Sequence, residues 1–132
     1  MSKRERNITI TNTTKGTPTP VGVPFESIKN TILGLKYNLS LVFIEPSASK
    51  KLNKLYRNKS YAANILSFPL SKNEGEIFIT PAVVKADAVK FNLGYKKFMG
   101  LLVIHGCLHL KGLQHSSKME KAEEKYFKKF FN

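Results

Sequence analysis

The chain has 132 residues, and its hydrophobic fraction of 42% predicts one folded domain over residues 1–132 and excludes a disordered chain. Its 22 Lys and Arg residues outnumber 9 Asp and Glu residues, and the net charge of +13 predicts a polyanionic partner, either a nucleic acid or an anionic membrane surface. The longest wholly aliphatic run, residues 101–104, is too short for a membrane span. The charged N-terminus lacks a signal segment and Cys107 is the single cysteine, so the sequence predicts a cytoplasmic protein.

The first half of the sequence predicts two strands and two helices. Apolar and polar residues alternate over residues 7–12, which predicts a short edge strand, and a loop rich in Pro and Gly follows over residues 13–24. Apolar residues at helical spacing predict a helix over residues 25–35, and a continuous apolar stretch predicts a buried strand over residues 39–45. A short basic helix is predicted over residues 48–57. Three of its residues are expected to face inward: Leu52, Leu55 and Tyr56.

A hairpin and a helix are predicted next. Residues 64–68 predict a strand that Pro69 ends, and residues 76–80 predict a second strand after a turn at residues 73–75. The two strands are expected to pair as a hairpin. Thr80 followed by proline predicts the start of a helix that runs to about Phe91, with the threonine hydroxyl as its cap.

The last third of the sequence predicts a buried helix and an amphipathic one. Residues 95–111 are apolar on almost all sides, which is typical of a buried helix, and Gly112 predicts its end. A capping box that begins at Ser117 predicts the start of the last helix. Its inner stripe has four members: Met119, Ala122, Tyr126 and Phe130. The segments together predict an α+β fold with a small mixed sheet of about four strands and about five helices.

All three histidines of the chain lie within residues 105–115. His105 and His109 are one helical turn apart, so their rings share one helix face, which is expected to point at the core. Gly112 lets the chain reverse, so that His115 can return to the same point. Three converging imidazoles suit Zn²⁺ with a fourth position open for water, whose pKa the ion lowers to about 7. The alternative is a pair of core histidines bonded to backbone and one surface histidine, but burying an unpartnered pair is costly, which favours the metal.

The histidine spacing matches the zinc peptidase motif H-E-x-x-H-x-x-G-x-x-H except at one position. Gly106 stands where those peptidases have the glutamate that serves as general base. Peptide cleavage would therefore lack its proton acceptor. Phosphodiester cleavage is favoured instead, because the chain is basic and a metal ion can stabilise the negative charge of the transition state.

The histidine segment, residues 105–115, resembles the H-G-x-L-H-L-x-G-x-D-H signature of the YbeY-type endoribonucleases, which are rRNA maturation factors. Three upstream segments are also similar to that family. Residues 52–59 resemble L-N-x-x-Y-R-x-K/N, residues 64–69 resemble N-V-L-S-F-P, and residues 75–79 resemble G-D-I-x-I. The chain is identified as a divergent member of this family over roughly residues 39–124.

The resemblance implies a zinc-dependent, single-strand-specific endoribonuclease that acts in rRNA maturation, chiefly at the 3′ end of small-subunit (16S) rRNA, and in ribosome quality control. It implies an α+β fold with one Zn²⁺ per chain at the base of a basic cleft. The implied ligands of the ion are His105, His109 and His115, the first two of which lie on a buried helix. The implied partners are single-stranded RNA and the small ribosomal subunit, rather than a membrane. The same three histidines and Arg57 are the implied catalytic residues.

Arg57 is the only arginine beyond residue 6. The resemblance implies that it lies in the cleft, where a guanidinium can hold two phosphate oxygens at once. From the residues alone, a cation at a helix end that interacts with the helix dipole is the simpler interpretation. No general base stands out, so either water or the RNA 2′-hydroxyl remains open as the nucleophile.

The sequence departs from the family pattern at four positions. The family aspartate before the third histidine is Gln114, the aspartate after the arginine segment is Ser60, the threonine of the strand motif is Ala63, and the aspartate after Gly75 is Glu76. Two other functions therefore stay open: a non-catalytic, zinc-stabilised ribosome- or RNA-binding factor, and a metal hydrolase of another small substrate. An open coordination position favours catalysis, whereas a fourth protein ligand favours a structural metal.

Three further features are open to more than one interpretation. Cys107 lies on a different helix face from the histidines and is expected to be a packed small residue. The lysines of the last helix, which its three glutamates partly offset, are either a solvated face or an RNA contact. Asn64 and Ser67 are candidates for the wall of the cleft, although Asn64 is equally suited to a turn.

Overall fold

One mixed sheet and five helices form residues 7–131, the part of the chain that the computed structural model describes. The strands are β1 (Ile8–Asn12), β2 (Asn38–Phe43), β3 (Ile65–Ser71) and β4 (Glu74–Ile79). The helices are α1 (Phe25–Leu33), α2 (Pro46–Arg57), α3 (Pro81–Lys90), α4 (Tyr95–Lys111) and α5 (Ser117–Phe131). The strand order is β1-β2-β4-β3, in which only the β3–β4 pair is antiparallel. The predicted α+β fold of one domain, with its mixed sheet and edge strand β1, is confirmed.

Helix α4 lies against one face of the sheet and forms the centre of the core. Eight of its residues are buried: Phe98, Met99, Gly100, Val103, Ile104, Gly106, Cys107 and Leu108. All of these except the two glycines belong to one apolar cluster with alternate residues of the two central strands: Leu39, Leu41, Phe43, Ile77 and Ile79. The prediction of a buried helix is confirmed, and α4 therefore has a fixed position against the sheet. None of the helices within residues 7–131 is long and apolar enough to cross a lipid bilayer.

The inner side of α2 differs from the prediction, because it is polar. Ser49 and Asn53 are its buried residues. The hydroxyl of Ser49 donates to the Ala63 carbonyl at 2.8 Å, and the amide of Asn53 donates to the Tyr61 carbonyl at 2.9 Å. These hydrogen bonds hold the helix against the segment before β3 and satisfy the buried polar groups.

Apolar residues at α2 and after α1 are less buried than predicted, for two separate reasons. Leu55 and Tyr56 are 72% and 62% exposed, so the prediction that they face inward is wrong, and only Leu52 is partly buried. The cause is the set of hydrogen bonds that turns the polar side of α2 inward. Helix α1 ends at Leu33, before Gly34, so Leu35 lies outside the helix and is exposed.

The hairpin is confirmed, but β3 does not end at Pro69. It continues to Ser71, and the turn consists of residues 72–73, so that β4 begins at Glu74. Proline is tolerated here because β3 is an edge strand, whose outward backbone positions need no partner in the sheet. The pairing register shifts between Pro69 and Ser71, where the strand departs from regular geometry.

Two helix starts differ in detail from their predicted caps. Helix α3 begins at Pro81 as predicted, but the Thr80 hydroxyl donates to the Ala63 carbonyl at 2.8 Å and does not cap the helix. Helix α5 is capped by Ser116, whose hydroxyl oxygen accepts a hydrogen bond from the Met119 backbone N–H at 3.2 Å. The cap therefore lies one residue before the predicted Ser117.

Candidate metal centre

The three histidines meet at the C-terminal end of α4. His105 and His109 lie on consecutive turns of that helix, and Gly112 ends it in the left-handed conformation, with a φ of 111°. This reversal returns His115 toward the helix, as predicted. One ring nitrogen from each of the three side chains lies within 4.8 Å of the others, so the group could hold a metal ion.

The two helical rings face a cleft, which corrects the prediction that they point at the core. His105 and His109 are only partly buried and His115 is exposed. The reason is the position of α4 over the sheet. Its buried side presents Gly106 to the edge strand β3, and the three histidines line one cavity with five residues of that strand.

The hydrogen bonds of the two helical rings leave one nitrogen of each free for a metal. The Nδ1 of His109 lies 3.1 Å from the Leu113 carbonyl oxygen, and the Nδ1 of His105 contacts a carboxylate oxygen of Glu123. A neutral imidazole that donates from Nδ1 carries its lone pair on Nε2. The two Nε2 atoms then face each other at 3.0 Å.

This arrangement fits a tetrahedral metal ion. Two lone pairs at such a distance repel unless a metal ion or a shared proton lies between them. Zinc–nitrogen bonds of about 2.0–2.1 Å in a tetrahedron place neighbouring ligand nitrogens about 3.3 Å apart, close to the 3.0 Å between the Nε2 atoms of His105 and His109. The pKa of His109 is lowered, chiefly by burial and secondly by the neighbouring His105. The lower pKa favours the neutral ring that a metal requires.

Glu123 is a site residue that the sequence interpretation missed. From the sequence, Glu123 is interpreted only as one of the glutamates that offset the lysines of the last helix. Its carboxylate orients a histidine ring across the interface between α4 and α5, the arrangement typical of carboxylates around metal ligands. One available signal was its spacing, because Glu123 follows the buried Met119 by one helical turn and so shares the inner face of α5.

Gln114, which stands where the family has an aspartate, does not orient a histidine ring as Glu123 does. The residue is exposed, and within residues 7–131 its side chain forms no hydrogen bond, while its backbone carbonyl accepts one from the Ser116 hydroxyl at 3.0 Å. The ring of His115 likewise forms no hydrogen bond within the described residues, and its centroid lies 5.2 Å from that of His105 and 5.4 Å from that of His109. Of the three rings, His115 is therefore the one without an orienting partner.

The cleft extends from the histidines to the end of α2. A cavity of about 460 Å³ is lined by the three histidines, by Arg57 and by five consecutive β3 residues: Ile65, Leu66, Ser67, Phe68 and Pro69. Arg57 is exposed, and its Nη1 donates to the Asn53 side-chain oxygen at 3.3 Å. The structure thus brings Arg57 and Ser67 to the cavity, whereas the Asn64 amide bonds to the Asp87 carboxylate at 3.0 Å.

Close packing explains why position 106 is glycine. A Cβ atom on Gly106 would lie 2.9 Å from the Ser67 hydroxyl oxygen and 3.0 Å from the Cδ1 atoms of Ile65 and Ile77. Even alanine would require these side chains to shift, and a glutamate would require a larger rearrangement of them. The next residue, Cys107, is fully buried, and burial raises the pKa of its thiol to about 12, which confirms the prediction of a packed small residue.

Together the fold and the site define a class: a small α+β domain with a three-histidine candidate metal centre beside the free edge of its sheet. The model of the endoribonuclease YbeY family matches residues 21–130. The chain belongs to the YbeY family.

Individual relatives agree with this assignment. Proteins named "Endoribonuclease YbeY" are 32% identical over 117 residues in Mesoplasma florum, 33% over 113 in Mycoplasma capricolum and 33% over 90 in Bdellovibrio bacteriovorus. These matches cover 80%, 70% and 67% of this chain and 66%, 69% and 60% of the relatives. The chain therefore spans about two thirds of the length of these relatives. The solution structure of a Thermotoga maritima protein is similar with a TM-score of 0.69 and 26% identity, covering 94% of this chain and 89% of that one.

Proposed function

We propose that this chain is a metal-dependent endoribonuclease, a hydrolase that cleaves phosphodiester bonds of single-stranded RNA, and that residues 1–132 form this one domain. The observation that carries the proposal is the meeting of His105, His109 and His115 within 4.8 Å, in a cavity that Arg57 also lines. The names of the relatives and the net charge of +13 support RNA as the substrate.

The proposed cofactor is one Zn²⁺ per chain. Three neutral imidazole nitrogens suit zinc, and within residues 7–131 no carboxylate or thiol joins the three rings as a fourth ligand. An incomplete set of protein ligands is typical of catalytic rather than structural zinc. When bound, the ion supplies Lewis-acid chemistry, namely activation of water and neutralisation of phosphate charge.

The side chains of the cavity have separate roles in this proposal. The three histidines hold the ion, and Glu123 and the Leu113 carbonyl fix two of the rings so that Nε2 is the ligand atom. Arg57 binds two oxygens of the scissile phosphate through its guanidinium and stabilises the charge that develops there. The described residues that line the cavity include no carboxylate, so a side-chain general base is not assigned.

We extend the proposal to the biological role that the family resemblance implies. The substrate is rRNA, chiefly the 3′ end of small-subunit (16S) rRNA, and the protein also acts in ribosome quality control with the small subunit as its partner. The compartment is the cytoplasm. Membership in the family and the basic charge support this extension.

The decisive experiment combines metal analysis and RNA cleavage on one preparation. We expect close to one zinc per chain and cleavage of a single-stranded RNA but not of its duplex, with loss of cleavage on chelation and recovery with zinc. The ends of the products identify the nucleophile, because attack by the 2′-hydroxyl leaves a cyclic phosphate and attack by water does not. Zinc binding without cleavage would favour the non-catalytic RNA-binding factor, and absence of both would refute the proposal.

A further inference from the structure

The outward side of α2 is strongly basic. This helix carries no Asp or Glu, and it has four basic residues: Lys50, Lys51, Lys54 and Arg57. Helix α5 differs, because glutamates alternate with its lysines and Lys128 pairs with Glu124 at 3.6 Å. Of the two helices, α2 therefore presents the more uniform positive surface to a polyanion.

An exposed aromatic side chain lies at the end of this basic surface. Tyr56 is 62% exposed although its ring packs on Phe68, with centroids 5.1 Å apart and planes at 56°. Phe68 in turn packs edge to face on Phe78 at 5.8 Å, so the Tyr56 ring rests on a fixed aromatic layer. One side of the Tyr56 ring is supported and much of the rest is open to solvent.

Tyr56 adjoins two residues that line the cavity of the candidate metal centre. The next residue is Arg57 and its contact partner is Phe68, and both line the cavity together with the histidines. A basic surface beside an exposed aromatic ring is a combination that binds single-stranded nucleic acid. The cations bind the phosphates, and every base has a face that can stack on the ring. The supported ring loses little conformational freedom when a base stacks on it.

We propose that Tyr56 is the stacking platform for one unpaired base of the RNA, and that the lysines of α2 bind the flanking phosphates. This inference rests on the proposed function. It adds a base-binding subsite at Tyr56 and places the approaching strand along the basic side of α2. The competing explanation is that Tyr56 only covers Phe68 and so protects the outer face of the sheet. A leucine would still cover Phe68, whereas only an aromatic ring can stack a base.

The test compares binding of two single strands that differ only in their bases. The first is a 2′-O-methyl oligouridine of about eight nucleotides, within the usual site sizes for single strands; its 2′-oxygen cannot attack the phosphate, and gel electrophoresis after each measurement checks that water has not cleaved it. The second is an abasic strand of the same length and charge. Binding of both is measured by fluorescence anisotropy for the wild type, Tyr56→Phe and Tyr56→Leu.

A matched control comes from Phe91, another exposed aromatic residue that rests on a second ring. Phe91 is 65% exposed and stacks on Phe98 with centroids 5.4 Å apart, at the end of α3 and outside the cavity lining. Phe91→Leu should bind both strands as the wild type does. Melting temperatures of Tyr56→Leu and Phe91→Leu establish that both proteins are folded.

We expect the wild type to bind oligouridine about 10-fold more tightly than the abasic strand, within the roughly 5- to 150-fold range of one stacked base. Tyr56→Phe should keep this preference, and Tyr56→Leu should lose it by weakening oligouridine binding alone. The salt dependence of Tyr56→Leu should equal that of the wild type, because no phosphate contact is removed, whereas Lys54→Ala should weaken both strands and reduce the salt slope.

Equal binding of oligouridine by Tyr56→Leu and the wild type would overturn the inference. If Tyr56→Leu does not fold, equal binding of the two strands by the wild type would overturn it as well. The proposed function is tested separately by RNA cleavage. If the wild type cleaves RNA but binds oligouridine and the abasic strand equally, the stacking platform alone is refuted, whereas failure both to bind and to cleave RNA refutes the platform and the function together.

Discussion

The contact between Glu123 and His105 gives the most direct test of the metal centre. Glu123→Gln keeps the size of the side chain and a hydrogen-bond acceptor but removes the charge that holds the ring. Both side chains are 23% exposed, so the contact is largely screened from water and its loss is not easily replaced by solvent. Removing a carboxylate behind a metal-bound histidine typically lowers metal affinity about 10- to 100-fold, which corresponds to about 1.4–2.7 kcal/mol.

The measurement is a competition for zinc between the protein and a chromogenic chelator, together with thermal unfolding with and without zinc. We expect the zinc affinity of Glu123→Gln to fall within this range, and the stabilisation by zinc to fall by the same free energy, because binding to the folded state adds directly to stability. Unfolding without zinc should change much less.

Glu124→Gln is the matched control for this experiment. Glu124 is the next residue along α5, but its side chain is 67% exposed and pairs only with Lys128 at 3.6 Å. Such surface pairs contribute about 0–1 kcal/mol. Equal zinc affinities of Glu123→Gln and Glu124→Gln would show that the carboxylate does not support the metal, and the reasoning would be refuted.

Three further substitutions test the other parts of the site. His109→Ala should remove most of the zinc and lower the melting temperature, because metal binding contributes to folding, and a variant that melts as the wild type does would argue against the site. Gln114→Asp should raise zinc affinity or cleavage rate, because a carboxylate beside His115 would orient the ring that lacks a partner; no change in either would exclude that role. Arg57→Lys keeps the charge and should leave RNA affinity within a few-fold, yet reduce the rate of single-turnover cleavage about 10- to 100-fold. Lys125→Ala should instead lower RNA affinity slightly and leave the chemical step unchanged. A wild-type cleavage rate for Arg57→Lys would show that Arg57 is only a cation at the helix end.

Much of the fold was predictable because its elements have strong local patterns. Helix α4 is a long segment that is apolar on nearly all sides, and β2 and β4 are short apolar runs, so the lengths of the runs and their flanking residues predict their type and burial. Helix α2 shows the limit of this approach. Its buried face consists of Ser49 and Asn53, which are held by backbone carbonyls of the segment before β3. A hydrophobic pattern cannot reveal a buried face that is polar, so the inward side of α2 was predicted wrongly.

The candidate site divides in the same way between local and long-range information. The grouping of His105, His109 and His115 follows from helical spacing and a glycine turn within one short segment, and the sequence therefore predicts it. The contacts of Glu123 and Tyr56 depend on how α5 and α2 pack against other elements. Glu123 reaches a residue 18 positions away, and Tyr56 reaches Phe68 across the segment that leads into β3. The contact of Tyr56 has no signature in the residues that surround it, and the spacing of Glu123 from Met119 indicates its helix face but not its partner.

Gly106 connects the packing of the core to the chemistry of the cleft. The absence of a side chain lets α4 approach Ser67 and Ile65 so closely that the neighbouring histidines emerge beside the free edge of β3. The same strand then forms the wall that leads to Arg57. A glutamate at position 106, which a peptidase would need as its base, would press against the Ser67, Ile65 and Ile77 side chains, two of which belong to β3. The close contact of α4 with the edge strand therefore disfavours the glutamate of a peptidase at position 106, and the same strand lines the cavity between the histidines and Arg57.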